Sequence, residues 1–311
     1  MAKSPNITRR RLLGAITAAP LLGPAMGPAM GLTRQGGLAT RAIPSSDEAL
    51  PLVGLGSWIT FNVGNDRAAR DASTEVMRNF FQAGGRLIDS SPMYGSAQEV
   101  IGYGLKKLGR PADIFAADKV WISDGAEGRA QIEASRRYWG IPRFDLMQVH
   151  NLLSWQAHLP TLFAMKAAGQ LRYVGITTSH GRRHGEMEQI MASQPLDFVQ
   201  LTYNLIDRDV EQRLLPLARE RGIAVIVNRP FQQGALIRRL ERHPLPPWAA
   251  EIDCASWAQF ALKFIISHPA VTCAIPATTR VAHVLENMGA ASDRLPDQAM
   301  RARMAALVAR L

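Results

Sequence analysis

The sequence predicts an α/β chain that closes into one (β/α)8 barrel of the TIM type, a single domain over residues 32–311. Two observations predict it. From residue 50 onward, short β-rich runs alternate with longer amphipathic stretches. No linker or shift of composition divides the 311 residues, and eight βα units in that length favour a closed parallel barrel over an open sheet.

The strand candidates are "LVGLGS" (52–57), "RLID" (86–89), "IFAADK" (114–119), "DLMQVH" (145–150), "RYVGIT" (172–177), "DFVQLT" (197–202), "IAVIVN" (223–228) and "TCAIP" (272–276). Between them, "ASTEVMRNFFQAGG" and "VEQRLLPLARERG" carry helical periodicity, the second stopped by Gly222. "SAQEVIGYGL" opens with Ser96 and has Glu99 three residues on, the pattern of a capping box. "GLGSWI" begins like a dinucleotide fingerprint but lacks the third glycine, which speaks against a Rossmann site.

Hydrophobic residues make up 47% of the chain, enough for a sizeable core. The net charge is +10, of which Lys3, Arg9, Arg10 and Arg11 supply four in residues 1–31. The other basic residues are scattered and not interleaved with aromatics, so a nucleic-acid surface is not expected. Cys254 and Cys273 have no metal-ligand spacing and read as buried free thiols, with a single disulfide left open. No metal site is expected.

Residues 1–31 read as an address rather than as fold. "TRRRLLGAITAAPLLGPAMGPAMG" has a basic start, an apolar run broken by Pro and Gly, and a small-residue end. Thr8, Arg9, Arg10, Leu12 and Leu13 match the twin-arginine export motif, with a cut placed after Gly31. The apolar run is too short and interrupted for a permanent membrane span. A bacterial periplasmic protein, carried folded by the Tat translocase, is the expectation.

In such barrels the active site lies at the C-terminal ends of the strands. Asp89, Lys119 and His150 each end or nearly end a candidate strand, and Tyr94 sits on the loop after Asp89. A carboxylate leaving the core there needs a partner, and Lys119 is available. The spacing predicts Tyr94 between Lys119 and His150, hydrogen-bonded to both. A neighbouring ammonium lowers the pKa of a phenol from about 10, and a neutral His orients a substrate oxygen. That set is a general acid poised to protonate an oxyanion, the chemistry of carbonyl reduction by a hydride donor. Trp58, Trp121 and Trp155, on the loops around these residues, are candidate substrate-pocket residues.

"GGRLIDSSPMYGSAQEVIGYGL", "DKVW" and "DLMQVHN" resemble the Asp, Tyr, Lys and His tetrad of the aldo/keto reductase superfamily, in order and context. "LVGLGSW", "RYVGIT", "VQLTYN" and "AIPATTRVAHVLEN" extend the resemblance from about Ala39 to about Ala290. It implies the barrel, an extended nicotinamide cofactor across its top, and reversible carbonyl reduction. By position, Gly56 and Ser57 meet the cofactor, and Thr177, Thr178 and Gln200 hold the nicotinamide carboxamide. Pro230, Phe231 and Gly234 match the pyrophosphate-side loop. Thr278, Thr279 and Arg280 match the segment around the adenosine phosphate, and Glu286 and Asn287 match the adenine edge. A cationic fork at Arg280 suits a 2′-phosphate, so NADP(H) is expected before NAD(H). Asn228 stands where many relatives stack a Tyr on the nicotinamide. The resemblance therefore implies a reductase of aldehydes or ketones, with Tyr94 as proton donor. The alternative is a non-catalytic nucleotide-binding sensor or partner subunit on the same barrel. Relatives are often monomers, and the oligomeric state stays open.

Overall fold

Three short antiparallel strands, β1 (Leu32–Gln35), β2 (Leu38–Ala42) and β3 (Ala49–Pro51), precede the barrel in the computed structural model. It describes residues 1–2, 32–35, 37–292 and 294–311. The export signal expected over residues 1–31 thus lies, but for Met1 and Ala2, outside the described residues.

The barrel follows in chain order: β4 (Leu55–Gly56), β5 (Leu87–Asp89), β6 (Phe115–Val120), β7 (Phe144–Val149), β8 (Leu171–Thr177), β9 (Phe198–Thr202), β10 (Ala224–Asn228) and β11 (Cys273–Ala274). Each strand pairs in parallel with the next. Isolated parallel bridges Val53–Ala274 and Gly56–Ala277 join the last strand to the first, so the sheet closes. All eight strands fall within one residue of the predicted runs. The first and last are shorter than predicted, because Pro276 donates no hydrogen bond and the Gly54 backbone closes directly on the Ala274 carbonyl at 2.8 Å.

Helices surround the sheet: α1 (Arg67–Gln82), α2 (Ala97–Lys107), α3 (Gly128–Trp139), α4 (Trp155–Ala167), α5 (His184–Ser193), α6 (Leu214–Glu220), α7 (Ala235–Leu240), α8 (Trp257–Ile266), α9 (Val281–Gly289) and α10 (Gln298–Val308). α1 starts earlier than predicted because Asp66 caps it, accepting from Ala69 N at 2.9 Å. The capping box expected at Ser96 does not form. The Ser96 hydroxyl instead accepts from Gly64 N at 2.8 Å and donates to Asn62 Oδ1 at 3.2 Å, which ties the loop after β4 to the loop after β5.

The period of two along each strand decides what enters the barrel. One face runs Phe115, Ala117, Lys119 on β6; Leu146, Gln148 along β7 and on to His150; Phe198, Gln200, Thr202 on β9; and Ala224, Ile226, Asn228 on β10. These faces are apolar at the N-terminal end of the barrel and polar at the C-terminal end. Phe115, Tyr173 and Phe198 fill the apolar end, with ring centroids 5.4–5.9 Å apart. The turn between β2 and β3 seals that end: Glu48 accepts from Arg86 at 3.0 Å, from the Tyr173 hydroxyl at 2.9 Å and from Arg172. Cys254 and Cys273 are both free and buried. Among the described residues no helix is long and apolar enough to cross a membrane.

Phe115 is fully buried between two rings. Phe115→Ala is therefore expected to lose about 3–5 kcal/mol of stability, read from denaturant melts.

Candidate active site

Asp89 ends β5 with its carboxylate inside the polar end of the barrel. Lys119, fully buried, reaches it from β6, Nζ to Oδ2 at 2.6 Å, and donates also to the Ser90 carbonyl at 2.6 Å. The other carboxylate oxygen accepts from Gln200 Nε2 at 2.8 Å and Gln148 Nε2 at 3.3 Å. Burying two charges is unfavourable unless further hydrogen bonds support them, and here the ammonium has two acceptors and the carboxylate three donors. Gly175 makes room for this arrangement. A Cβ there would stand 2.7 Å from the Phe198 carbonyl oxygen and 3.2 Å from Gln148 Cγ.

Lys119 Nζ lies 5.0 Å from the centre of the Tyr94 ring. Burial, the largest single influence, would lower the Lys119 ammonium, but Asp89, with smaller help from Tyr94 and Asp118, holds the pKa above its ordinary value. The expected lowering of Tyr94 is corrected. Burial raises the phenol, and the opposing pull of Lys119 moderates that rise without reversing it. Tyr94 therefore keeps its proton throughout the neutral range.

The expected Tyr94–His150 hydrogen bond is replaced by an edge-on ring contact, with centroids 5.7 Å apart. His150 Nδ1 is 2.8 Å from Ser91 Oγ, which itself accepts from Met93 N at 3.2 Å. Since Ser91 Oγ already accepts from Met93 N, we assign its proton to Nδ1, which makes the imidazole the Nε2–H tautomer. Nε2 has no hydrogen-bond partner among the described residues. Burial, with the Lys119 charge second, pushes His150 down to about 2, so the ring is neutral. Asp118, beside Lys119, turns away from this group and accepts from Gln98 Nε2 at 2.8 Å.

A cavity of about 580 Å³ opens over the group, and Asp89, Tyr94 and His150 line it. Lys119 supports it from below. Of the other residues expected from the sequence, Gly56, Ser57, Trp58, Thr177, Gln200, Pro230, Phe231, Gly234, Thr278, Arg280, Glu286 and Asn287 line the same cavity. Four do not. Thr178 turns its hydroxyl to Met187 Sδ at 3.8 Å, and Thr279 is exposed beside the cavity. Trp155 opens α4, where its indole nitrogen donates to Glu186 at 2.9 Å. Trp121 stands just outside the lining, its ring 6.4 Å from His150. Asn228 is engaged with the Thr178 carbonyl at 2.9 Å and with Thr202 Oγ1 at 2.7 Å.

Sequence reasoning passed over Gln148, Ser91 and Arg238. Gln148 was detectable, since it lies two residues before His150 on the same strand face. Arg238 is one of three guanidiniums on the lining, with Arg229 and Arg280. None of the three makes a side-chain hydrogen bond or an ion pair with another described residue, and Arg229 Nη1 is buried without a partner. A cavity lined by three guanidiniums that make no ion pair, with Glu241 and Glu286 also on its wall, fits a ligand with several phosphate charges.

The sequence profile of the aldo/keto reductase family matches residues 52–307, most of the chain. The chain belongs to the aldo/keto reductase family. Among curated relatives it is 28% identical over 250 residues to methylglyoxal reductase YeaE of Escherichia coli, covering 78% of this chain and 86% of that protein. It is 26% identical to the NADH-specific methylglyoxal reductase of the same organism, covering 65% of this chain and 70% of that one. An aldo/keto reductase from Klebsiella pneumoniae, solved with NADP and acetate, superposes with a TM-score of 0.72 at 25% identity, covering 84% of this chain and 93% of that one. Family membership makes this chain an NAD(P)H-dependent carbonyl reductase.

The low pKa of His150 has a definite sign. An unfolded chain takes up a proton there below about pH 6.5 and the folded protein does not, so this contribution to stability is complete above pH 6.5 and lost as pH falls below it. Nitrogen-detected NMR of the imidazole is expected to show one neutral Nε2–H form from pH 9 down to 5. An imidazolium appearing near pH 6 would contradict the assignment.

Proposed function

We propose that Tyr94 donates the proton that completes reduction of a substrate carbonyl to an alcohol. His150 Nε2–H donates a hydrogen bond to the carbonyl oxygen and sets it beside the Tyr94 hydroxyl. As negative charge develops on that oxygen, the Tyr94 proton moves to it, and the Lys119 ammonium, held by Asp89, stabilises the phenolate left behind. The observation that carries this reading is the neutral His150, with Nε2 unpartnered, beside a protonated Tyr94 over a buried ion pair.

The nicotinamide cofactor supplies the reducing equivalent when bound. Thr177, Gln200 and Asn228 offer polar groups for its carboxamide end. Gly56, Ser57, Pro230, Phe231 and Gly234, with the Arg229 and Arg238 guanidiniums, suit its diphosphate. Arg280 suits a 2′-phosphate, and Thr278, Glu286 and Asn287 suit the adenosine end. This favours NADPH over NADH; the Klebsiella pneumoniae neighbour was solved with NADP, while one Escherichia coli relative is named NADH-specific.

Residues 1–31 direct export by the twin-arginine route, so the reductase acts in a bacterial periplasm. The support is the "TRRRLL" run. Lysine at both Arg9 and Arg10 is expected to hold a reporter fused to residues 1–31 inside the cytoplasm; undiminished export would contradict the assignment.

Tyr94→Phe is expected to lower the reduction rate by about 10²–10⁴-fold while NADPH still quenches tryptophan fluorescence. Arg280→Ala is expected to weaken NADPH about tenfold or more and to leave NADH affinity nearly unchanged. Full turnover by Tyr94→Phe would contradict the reading.

A further inference from the structure

The loop after β10 walls the guanidinium side of the cavity, and its backbone is unusual. Arg229, Gln232, Gln233 and Gly234 have φ of +52°, +48°, +58° and +82°. Three of the four are not glycine, and left-handed backbone is unfavourable for each of those three. Such a conformation persists where the surroundings over-determine it, so something must hold this loop. Gln232 N bonds the Arg229 carbonyl at 3.1 Å, and Gly234 N bonds the Phe231 carbonyl at 2.8 Å. These bonds close turns within the loop.

The anchor comes from the loop after β9. Asn204 is fully buried there. Its Oδ1 accepts from Ile206 N at 2.9 Å and from Asp207 N at 2.8 Å, which closes a tight turn. Its Nδ2 donates to Asp207 Oδ2 at 2.8 Å and reaches across to the Arg229 carbonyl at 3.1 Å. The same Asp207 oxygen accepts from Gln232 Nε2 at 2.9 Å. One amide and one carboxylate thus grip both ends of the turn from Arg229 to Gln232. Tyr203, the residue before Asn204, is fully buried with its hydroxyl bonded to Glu211 and Arg301, so the anchor is itself fixed. Asn204, Asp207 and Gln232 do not line the cavity, whereas Arg229, Pro230, Phe231, Gln233 and Gly234 do. The three side chains therefore act on the cavity wall from behind it.

We propose, resting on the reading that this loop faces the cofactor diphosphate, that Asn204 and Asp207 are positioning residues that preset the loop for its ligand. A loop ordered before binding spares the ligand the entropy of ordering it. The diphosphate is common to NADPH and NADH, so both cofactors gain equally, unlike a 2′-phosphate held at Arg280. Plain electrostatics acts the other way. Burial holds the Arg229 guanidinium below its ordinary pKa, and the nearby Asp207 charge opposes that. By charge alone, removing the Asp207 carboxylate would favour a phosphate beside Arg229. Removing a positioning residue weakens the same ligand, so the two effects have opposite signs.

Asp207→Ala, Gln232→Ala and the double variant test this, since both side chains are half-buried and stand outside the cavity lining. Each single variant is expected to weaken NADPH and NADH alike by about five- to tenfold in tryptophan quenching. KM for the cofactor should rise in step while kcat stays within about twofold. Because Asp207 and Gln232 share one bond, the double variant should be no weaker than Asp207→Ala alone. Asp207→Asn removes the charge but keeps an acceptor, and should restore most of the affinity. Hydrogen exchange of the cofactor-free protein needs no ligand, and the Gln232 and Gly234 amides should exchange faster in both single variants. Cofactor affinity that is unchanged or tighter in Asp207→Ala would overturn the proposal, even with Tm lowered, since that is the result of a merely structural brace. Additive losses in the double variant would overturn it as well. Faster exchange in the variants of a protein that binds neither nucleotide would support the preset loop and contradict the cofactor reading instead.

Discussion

The pair of charges buried beneath the cavity, Asp89 with Lys119, is the constraint on which the other site geometry depends. Each ion alone would be strongly unfavourable inside the barrel. Together they fix the ends of β5 and β6 at a common level, and Gln148 and Gln200 complete the carboxylate from β7 and β9. Four strands therefore converge on one acid. Tyr94 then lies against an ammonium, and the same charge adds to the burial that keeps His150 neutral. The same pair that would be a liability in an ordinary core gives a phenol that keeps its proton yet has a cation ready for the charge it leaves.

Two gradients place this group. Along the barrel axis, the inward strand faces pass from Phe115, Leu146 and Phe198 to Lys119, His150 and Thr202, so one end is packed with apolar side chains and the other is polar. The packed end is closed by Glu48 and its arginines and never competes for ligand. Around the rim, the loops pass from exposed aromatic and aliphatic side chains to guanidiniums without carboxylate partners.

The barrel was readable in the sequence because its strands are bounded by glycines and by charged loops, and each has the β-rich composition of a buried parallel strand. The tetrad was readable because Asp89, Lys119 and His150 stand at or beside strand ends and Tyr94 on the loop that follows the first of them. The strands "LTRQ" and "LATRA" were not read, since polar and apolar residues alternate too briefly there to mark a strand. Ser96 has the sequence of a cap, but a tertiary bond to the Asn62 loop takes its hydroxyl. The direction of the Tyr94 shift was misjudged because sequence shows the neighbouring ammonium and not the depth of burial, and depth wins. Trp155 was placed in the pocket by its distance from His150 along the chain; the helix it begins turns it to Glu186. Arg238 lies on a helix face that periodicity alone would leave in solvent, and only the fold brings it to the cavity.

The central claim is that the buried pair makes Tyr94 an effective acid. The most direct test is the single-turnover rate of carbonyl reduction at neutral pH in an Asp89→Asn/Lys119→Met double variant, which removes both charges at nearly constant volume and leaves no uncompensated ion. In the intact site the pull of Lys119 on Tyr94 is stronger than the opposing push of Asp89, so removing both raises the phenol further. The account predicts a rate lower by about 10²-fold or more, with NADPH binding retained. A rate within about twofold of the unaltered protein would show that Tyr94 needs no such pair, and would contradict it.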